Sequence, residues 1–344
     1  MKRWQFWVGV VISAVCLWWA VRTLNPADLW QAIIHADYWW ILPGIAVYFI
    51  AVWVRAWRWH YLLRPIKKIK TSVMFPITCI GYMGNNIYPA RAGEVLRAVV
   101  LKRREGVPIS ASLATIIVER IFDGIVMLAF VFFNLNQLTQ MSNVVIPIAK
   151  WNLTVQDIAL WGSVVFFGAL LIFLLAAMFP RVTARLGQWF IDRALPVRLR
   201  EQTSDVMHKF LDGLESLRSP ANVLMVFFTS VLIWLLETVK YWLVMHAFPF
   251  SVSFFTLLLI NGVVNLTITI PAAPGYVGTF DLPSIIILIA AGIERGMASA
   301  YTFVLHFALW FPITALGAWY LAHEGIQWTD SLRVEVQAPE ISGD

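Results

Sequence analysis

Apolar residues run along the chain in stretches of about 20 or more, separated by short clusters of Pro, Gly, Lys and Arg. That is the pattern of helices crossing roughly 30 Å of hydrocarbon at about 1.5 Å per residue. Six stretches predict full crossings, at 4–24, 39–63, 108–134, 157–179, 220–247 and 297–322. Two more, 72–103 and 253–290, are interrupted midway, at Tyr88-Pro89-Ala90-Arg91-Ala92-Gly93-Glu94 and at Pro271-Ala272-Ala273-Pro274-Gly275. Proline removes a helix hydrogen bond, glycine permits a reversal, and each half is too short to span, so both regions predict re-entrant helical hairpins with tips buried in protein. Residues 25–36 open on Asn25-Pro26-Ala27-Asp28, a cap followed by proline, and 182–218 is basic and amphipathic; both predict helices lying along the membrane surface. The first stretch follows Met1-Lys2-Arg3 as a signal peptide would, but it is too long. Bulky Trp18-Trp19 precede Ala20 where cleavage needs small residues, so it reads as a retained helix.

Composition agrees: 60% of residues are hydrophobic and 13% charged, against about half and a quarter in soluble domains, which excludes a single water-soluble globule. Several of the 18 Trp (Trp18, Trp19, Trp39, Trp40) fall at segment ends, where indoles sit at headgroup level. The net charge of +6 is a topology signal, not a nucleic-acid signal. With both hairpins re-entrant, Lys2/Arg3 and the basic groups at 64–70, 102–104 and 181–200 share one side, leaving Arg22, Lys150 and Arg295 opposite, so both termini are expected in the cytoplasm. Cys16 and Cys79 lie in apolar segments, without the spacing of a disulfide framework or zinc site. No P-loop or dinucleotide fingerprint is visible, and no cofactor or metal is expected.

The two breaks share a pattern, Pro-Ala-x-x-Gly-x-Val, from Pro89 to Val95 and from Pro271 to Val277, an offset of 182 residues. The same offset carries Arg55 and Arg58 onto Glu237 and Lys240. Each half then reads crossing, surface helix, crossing, hairpin, crossing, and because the second crossing runs inward and the fifth outward, the halves are inverted, an architecture associated with alternating access. The expected fold is an all-α polytopic membrane protein of about six full crossings plus two re-entrant hairpins in an inverted repeat, with interfacial amphipathic helices. Residues 1–325 form one transmembrane domain (halves at about 1–135 and 157–323), and 326–344 a polar cytoplasmic tail.

Ionisable side chains in hydrocarbon face a cavity or a partner. Arg91, Glu94 and Arg97 lie at or just after the first tip; Glu119, Arg120 and Asp123 lie mid-way along the third crossing; Glu237 and Lys240 lie in the fifth; Asp281 follows the second tip and His306 sits in the sixth crossing. Glu119 and Asp123 share a helix face, where Arg91, Arg97 or Arg120 would neutralise them, and Glu237 with Lys240 reads equally as an internal ion pair. A half-helix beginning near Gly93 directs free N–H groups and its positive dipole end into a dry cavity. With Arg91 and Arg97 that cavity suits a phosphate, which arginine grips bidentately. A second half-helix from about Gly275 would offer N–H groups from the other side. Arg55 and Arg58 either snorkel to the cytoplasmic surface or guide a headgroup inward. Glu94, Glu119, Asp123, Glu237 and His306 are candidates for proton coupling, although His306 alone reads as readily as a hydrogen-bonded core residue.

The run from Asn85 and Asn86 through Pro89, Arg91, Gly93 and Glu94 to Arg97, then Glu119-Arg120-x-x-Asp123, then Pro271-Ala272-Ala273-Pro274-Gly275-Tyr276-Val277-Gly278, resembles the flippase-like family built on the transmembrane region of lysylphosphatidylglycerol synthase. The resemblance implies a prokaryotic inner-membrane protein that moves, or helps move, an anionic lipid (phospholipid or polyprenyl phosphate) between leaflets. It places functional positions at Asn86, Pro89, Arg91, Gly93, Glu94, Arg97, Glu119, Arg120, Asp123, Pro271, Pro274, Gly275 and Gly278. The synthases' aminoacyl-transferase domain has no counterpart here, so their enzyme activity does not carry over. Two other readings stay open: an intramembrane lipid transferase using Glu94, Glu119 or Asp123 as base, and a non-transporting subunit of a lipid-modifying system. Expected partners are membrane lipids, a second copy of the chain, or a lipid-synthesis enzyme.

Overall fold

The computed structural model describes residues 11–18, 26–88, 91–134, 145–148, 151–154, 179–194, 220–269 and 273–323, with isolated positions between 164 and 211. Pro89, Pro271, most of 4–24 and 157–179, and the tail 326–344 lie outside the described residues.

Helix dominates. Among the described residues three helices are long and apolar enough to cross a membrane: Tyr38–Leu63, which ends in α2 (Ile41–Leu63), Ala221–Met245 within α7 (Pro220–Met245), and α10 (Arg295–His323). They match the stretches read at 39–63, 220–247 and 297–322. The helix α5 (Ile109–Phe133) is as long, at 25 residues, but carries Glu119, Arg120 and Asp123. Shorter helices flank the two breaks: α3 (Thr71–Ile87) and α4 (Ala92–Glu105) around the first, α8 (Phe254–Thr267) and α9 (Asp281–Ala290) around the second. The longest of these has 17 residues, about 26 Å at 1.5 Å per residue, short of the ~30 Å hydrocarbon core. The described residues also include a helical stretch at 11–18, α1 (Pro26–Ile34), α6 (Pro180–Ala194) and a small antiparallel hairpin of β1 (Val145–Ile148) and β2 (Trp151–Thr154), a local exception to the expected all-helical fold. One stripe of α6 exposes Val182, Leu186, Trp189 and Phe190 beside Arg181, Arg185 and Arg193, the amphipathic face read in the sequence.

Packing follows the helices' small and charged residues. α2 lies along α7, α3 packs on α4 and α10, and α8 packs on α5 and α9. Gly44 of α2 faces Val244 of α7, Arg55 meets Glu237, and Arg58 meets Ser230, so α2 and α7 run antiparallel. The two largest apolar clusters among the described residues are one centred on α2 to α5 (Trp59, Ile77, Met83, Leu101, Ile116) and one on α7 to α10 (Tyr241, Leu259, Ile260, Leu288, Tyr301). The buried charges gather where these clusters meet.

The second break differs from the sequence expectation. No α-helix begins at Gly275; a 3-10 turn covers Pro274–Tyr276, and α9 starts only at Asp281. Gly275 (φ 71°), Tyr276 (φ 59°) and Gly278 (φ 83°) all occupy left-handed backbone, which interrupts a right-handed helix.

Candidate functional site

Between the two breaks lies a cavity of about 310 Å³. Of the candidate residues, Arg55, Asn86, Arg91, Arg120, Asp123, Glu237, Gly275 and His306 line it, joined by Lys240. Aromatic residues not singled out in the sequence form much of the remaining wall, including Tyr82, Trp234, Tyr241 and Trp310. Their signal was available: each lies within about two helical turns of an intramembrane charge or a break, where an aromatic ring can shield the charge from lipid.

The first break presents Arg91 in left-handed backbone (φ 54°), a conformation that costs a side-chain-bearing residue about 1–2 kcal/mol. From there its guanidinium reaches the Ile268 carbonyl at 3.5 Å and lies 3.8 Å from Glu94. Glu94 occupies the first turn of α4, where a carboxylate complements the helix dipole, and also meets Arg120 at 3.5 Å. The positive end of α4 therefore already has a carboxylate beside it.

Gly93 is a point of close contact between helices. A Cβ there would lie 1.9 Å from the Gly81 carbonyl and 2.4 Å from the Asn85 nitrogen, so glycine is what lets α4 press against α3. Asn86 donates from Nδ2 to Thr314 Oγ1 (2.8 Å) and to the Trp310 carbonyl (3.3 Å), tying the end of α3 to α10.

Arg58 and Arg97 depart from the sequence reading. Arg58 is fully buried, so it does not snorkel, and it does not line the cavity. It donates to both Asp123 carboxylate oxygens (2.6 and 3.2 Å) and to Ser230 (2.6 Å), and lies 3.6 Å from Glu119. Arg97 is held by Glu119 at 2.5 Å with its guanidinium over the Trp59 ring, beside a void of only about 20 Å³. Asp123 accepts a further bond from Trp234 Nε1 at 2.9 Å and lies 3.4 Å from Arg120. The crossing of α2 over α5 and α7 brings these partners within reach. A buried guanidinium without such partners would be strongly destabilising.

Arg55 is buried too, but against the cavity. One nitrogen donates to Glu237 at 2.8 Å, and Lys240 pairs with the other Glu237 oxygen. The rings of Trp234 and Tyr82 lie 4.9 and 5.6 Å from the guanidinium, and Tyr48 lies 4.5 Å from the Lys240 ammonium.

At the second break Gly275 turns the chain, and its carbonyl accepts from His306 Nε2 at 2.7 Å. Nδ1 of the same ring lies 2.8 Å from Asp281 Oδ1, and Asp281 Oδ2 accepts from the Gly278 backbone N–H at 2.8 Å. Both ring nitrogens are thus engaged, which fixes the ring between Gly275 and Asp281. The N–H groups expected to face the cavity here are partly consumed by Asp281. Pro274 opens the 3-10 turn, and Gly278 packs on residues 11–18, with Ser13 Oγ accepting from the Ala273 N–H at 2.8 Å.

In sum, the described residues bring together cationic, aromatic and amide side chains around a cavity between two interrupted helices. They suit an anion held away from water.

The chain is 25% identical to a UPF0104 membrane protein of Methanothermobacter thermautotrophicus over 92% of each chain, and 24% identical to a UPF0104 membrane protein of Pyrococcus horikoshii over 90% of this chain and 93% of that one. It is 23% identical to the glycosyltransferase AglD of Haloferax volcanii over 90% of this chain, but spans only 52% of that protein. No solved structure matches it. Residues 6–317 match the family model of the lysylphosphatidylglycerol synthase transmembrane region, and the chain, a membrane protein, belongs to that family.

Proposed function

We propose that the protein carries an anionic lipid, of phospholipid or polyprenyl-phosphate type, between the leaflets of a prokaryotic cytoplasmic membrane. The headgroup passes through the cavity while the tail stays in the bilayer. The observation that supports this most is the cavity itself: a space of about 310 Å³ inside a membrane protein, walled by Arg55, Arg91, Arg120 and Lys240 and bordered by both helix breaks. Cations at that depth are costly unless they serve an anion.

In this reading α3–α4 and α8–α9 are re-entrant hairpins among six crossings, and both termini are cytoplasmic. Helix limits support an inverted repeat. An offset of 182 residues carries α2 onto α7, α3 onto α8, and α4 into Pro274–Ala290, and the equivalent helices α2 and α7 are antiparallel. Of the candidates for proton coupling, Glu94, Glu119, Asp123 and Glu237 are each tied to two cations, while His306 borders the cavity between Asp281 and the Gly275 carbonyl.

The test is reconstitution. Purified protein in liposomes should change the leaflet accessibility of labelled phosphatidylglycerol or polyprenyl phosphate, and Arg91→Ala should slow it at least about tenfold, the loss of one charge-assisted contact. No change in accessibility with wild-type protein ends the proposal.

The likeness to AglD favours a second reading, in which the membrane domain presents a lipid to a glycosyltransferase. Co-purification of such an enzyme, with no lipid movement by the purified protein, would select it.

A further inference from the structure

The charges around the cavity do not balance. Arg55 and Lys240 share a single carboxylate, Glu237. Arg58, Arg91, Arg97 and Arg120 face three, Glu94, Glu119 and Asp123. Asp281 bonds His306 and the Gly278 N–H and meets no arginine, so it stands outside both clusters. Among the described residues each arginine-bearing cluster therefore keeps one positive charge in excess, and both clusters reach the same cavity. Trp234 stands between them, its ring against Arg55 and its N–H on Asp123.

The unmet donors lie in the same two places. Arg55 is only 5% exposed, yet its Nε and Nη1 have no hydrogen-bond partner; Nε of Arg91 has none either, Nε of Arg120 faces only the Glu94 carboxylate at 3.5 Å, and off the cavity Nε of Arg58 and of Arg97 are also unbonded. A buried guanidinium with unused N–H groups and no matching carboxylate is stable when an oxyanion supplies both.

We propose that the cavity takes a headgroup bearing two negative charges, a phosphomonoester or a diphosphate, with one charge met by Arg91 and Arg120 and the other by Arg55 and Lys240. This rests on the anionic-lipid reading and sharpens it. A phosphodiester headgroup with one negative charge leaves one cluster uncompensated.

Short-chain probes with one tail separate the possibilities. Dodecyl phosphate at pH 8 carries two charges, the second pKa of a phosphomonoester being about 6; dodecyl methyl phosphate carries one. Titrating each into the detergent-solubilised full chain, followed by tryptophan fluorescence, should show the monoester binding at least about tenfold tighter. Arg55→Gln and Lys240→Gln each leave Glu237 with one cation and so remove the excess charge without orphaning a partner. Both variants should lower monoester affinity much more than diester affinity, so that the roughly tenfold preference collapses toward one. Equal binding of the two probes to wild type, or parallel loss of both in Arg55→Gln and Lys240→Gln, overturns the two-charge proposal while leaving the anionic-lipid reading in place. Binding of neither probe overturns both. Inorganic phosphate binding as tightly as dodecyl phosphate keeps the two-charge chemistry but makes the ligand a free anion, which overturns the lipid reading.

Discussion

Asp123→Asn is the substitution whose cost the structure defines best. The carboxylate accepts from Arg58 twice, at 2.6 and 3.2 Å, and from Trp234 Nε1 at 2.9 Å, and lies 3.4 Å from Arg120. Asparagine keeps one acceptor oxygen and turns an NH2 toward donors. Arg58, fully buried, would retain one bond to the amide oxygen and the Ser230 hydroxyl, but its nearest carboxylate would be Glu119 at 3.6 Å. Breaking a buried pair from one side costs about 3–5 kcal/mol, because the other charge is left without a counterion. Unfolding by SDS in mixed micelles, followed by tryptophan fluorescence, should register a loss of that size. The control is the double variant Arg58→Met with Asp123→Leu. Replacing both partners with apolar groups should recover most of the loss, leaving about 1–2 kcal/mol, mostly from the abandoned Trp234 and Ser230 bonds. The reasoning fails if Asp123→Asn unfolds within about 0.5 kcal/mol of wild type, or if the double variant is no more stable than the single.

Gly93→Ala should destabilise by at least about 1–3 kcal/mol in the same assay, since its methyl would press on the Gly81 carbonyl and force α3 from α4; Gly106→Ala, with open space around it but a positive φ, should cost only about 1 kcal/mol. His306→Phe strands the Asp281 carboxylate and the Gly275 carbonyl, with an expected loss of about 2–4 kcal/mol, and adding Asp281→Asn should restore part of it. In a background without Cys16 and Cys79, Asn86→Cys should react with a small charged thiol reagent and be protected by dodecyl phosphate, whereas Ser230→Cys, fully buried beside Arg58, should stay unmodified.

Spans and breaks were legible locally. A run such as Ile41–Leu63 must be a helix in hydrocarbon because every backbone N–H and C=O needs an internal partner, and Pro with Gly must interrupt it. Intramembrane charge was legible as well, since position along a span is a property of the sequence. The function of each charge was not. Arg55 and Arg58 sit one turn apart on α2 and read alike in the sequence, yet one borders the cavity and the other is sealed in an ion network. Gly93 read as the start of a half-helix, which does begin beside it at Ala92, but its close contact with the Gly81 carbonyl appears only in the packing. Gly275 read as a helix start and proved a turn, because three left-handed residues follow one another closely there.

The sequence alone thus settled that this chain lives in a membrane, where its helices run and that ionisable groups lie among them, because hydrocarbon imposes those rules residue by residue. Which cations meet carboxylates and which are left facing a cavity depends on how α2 crosses α5 and α7. Distances of 3 Å between residues 65 to 182 positions apart exist only after the helices pack.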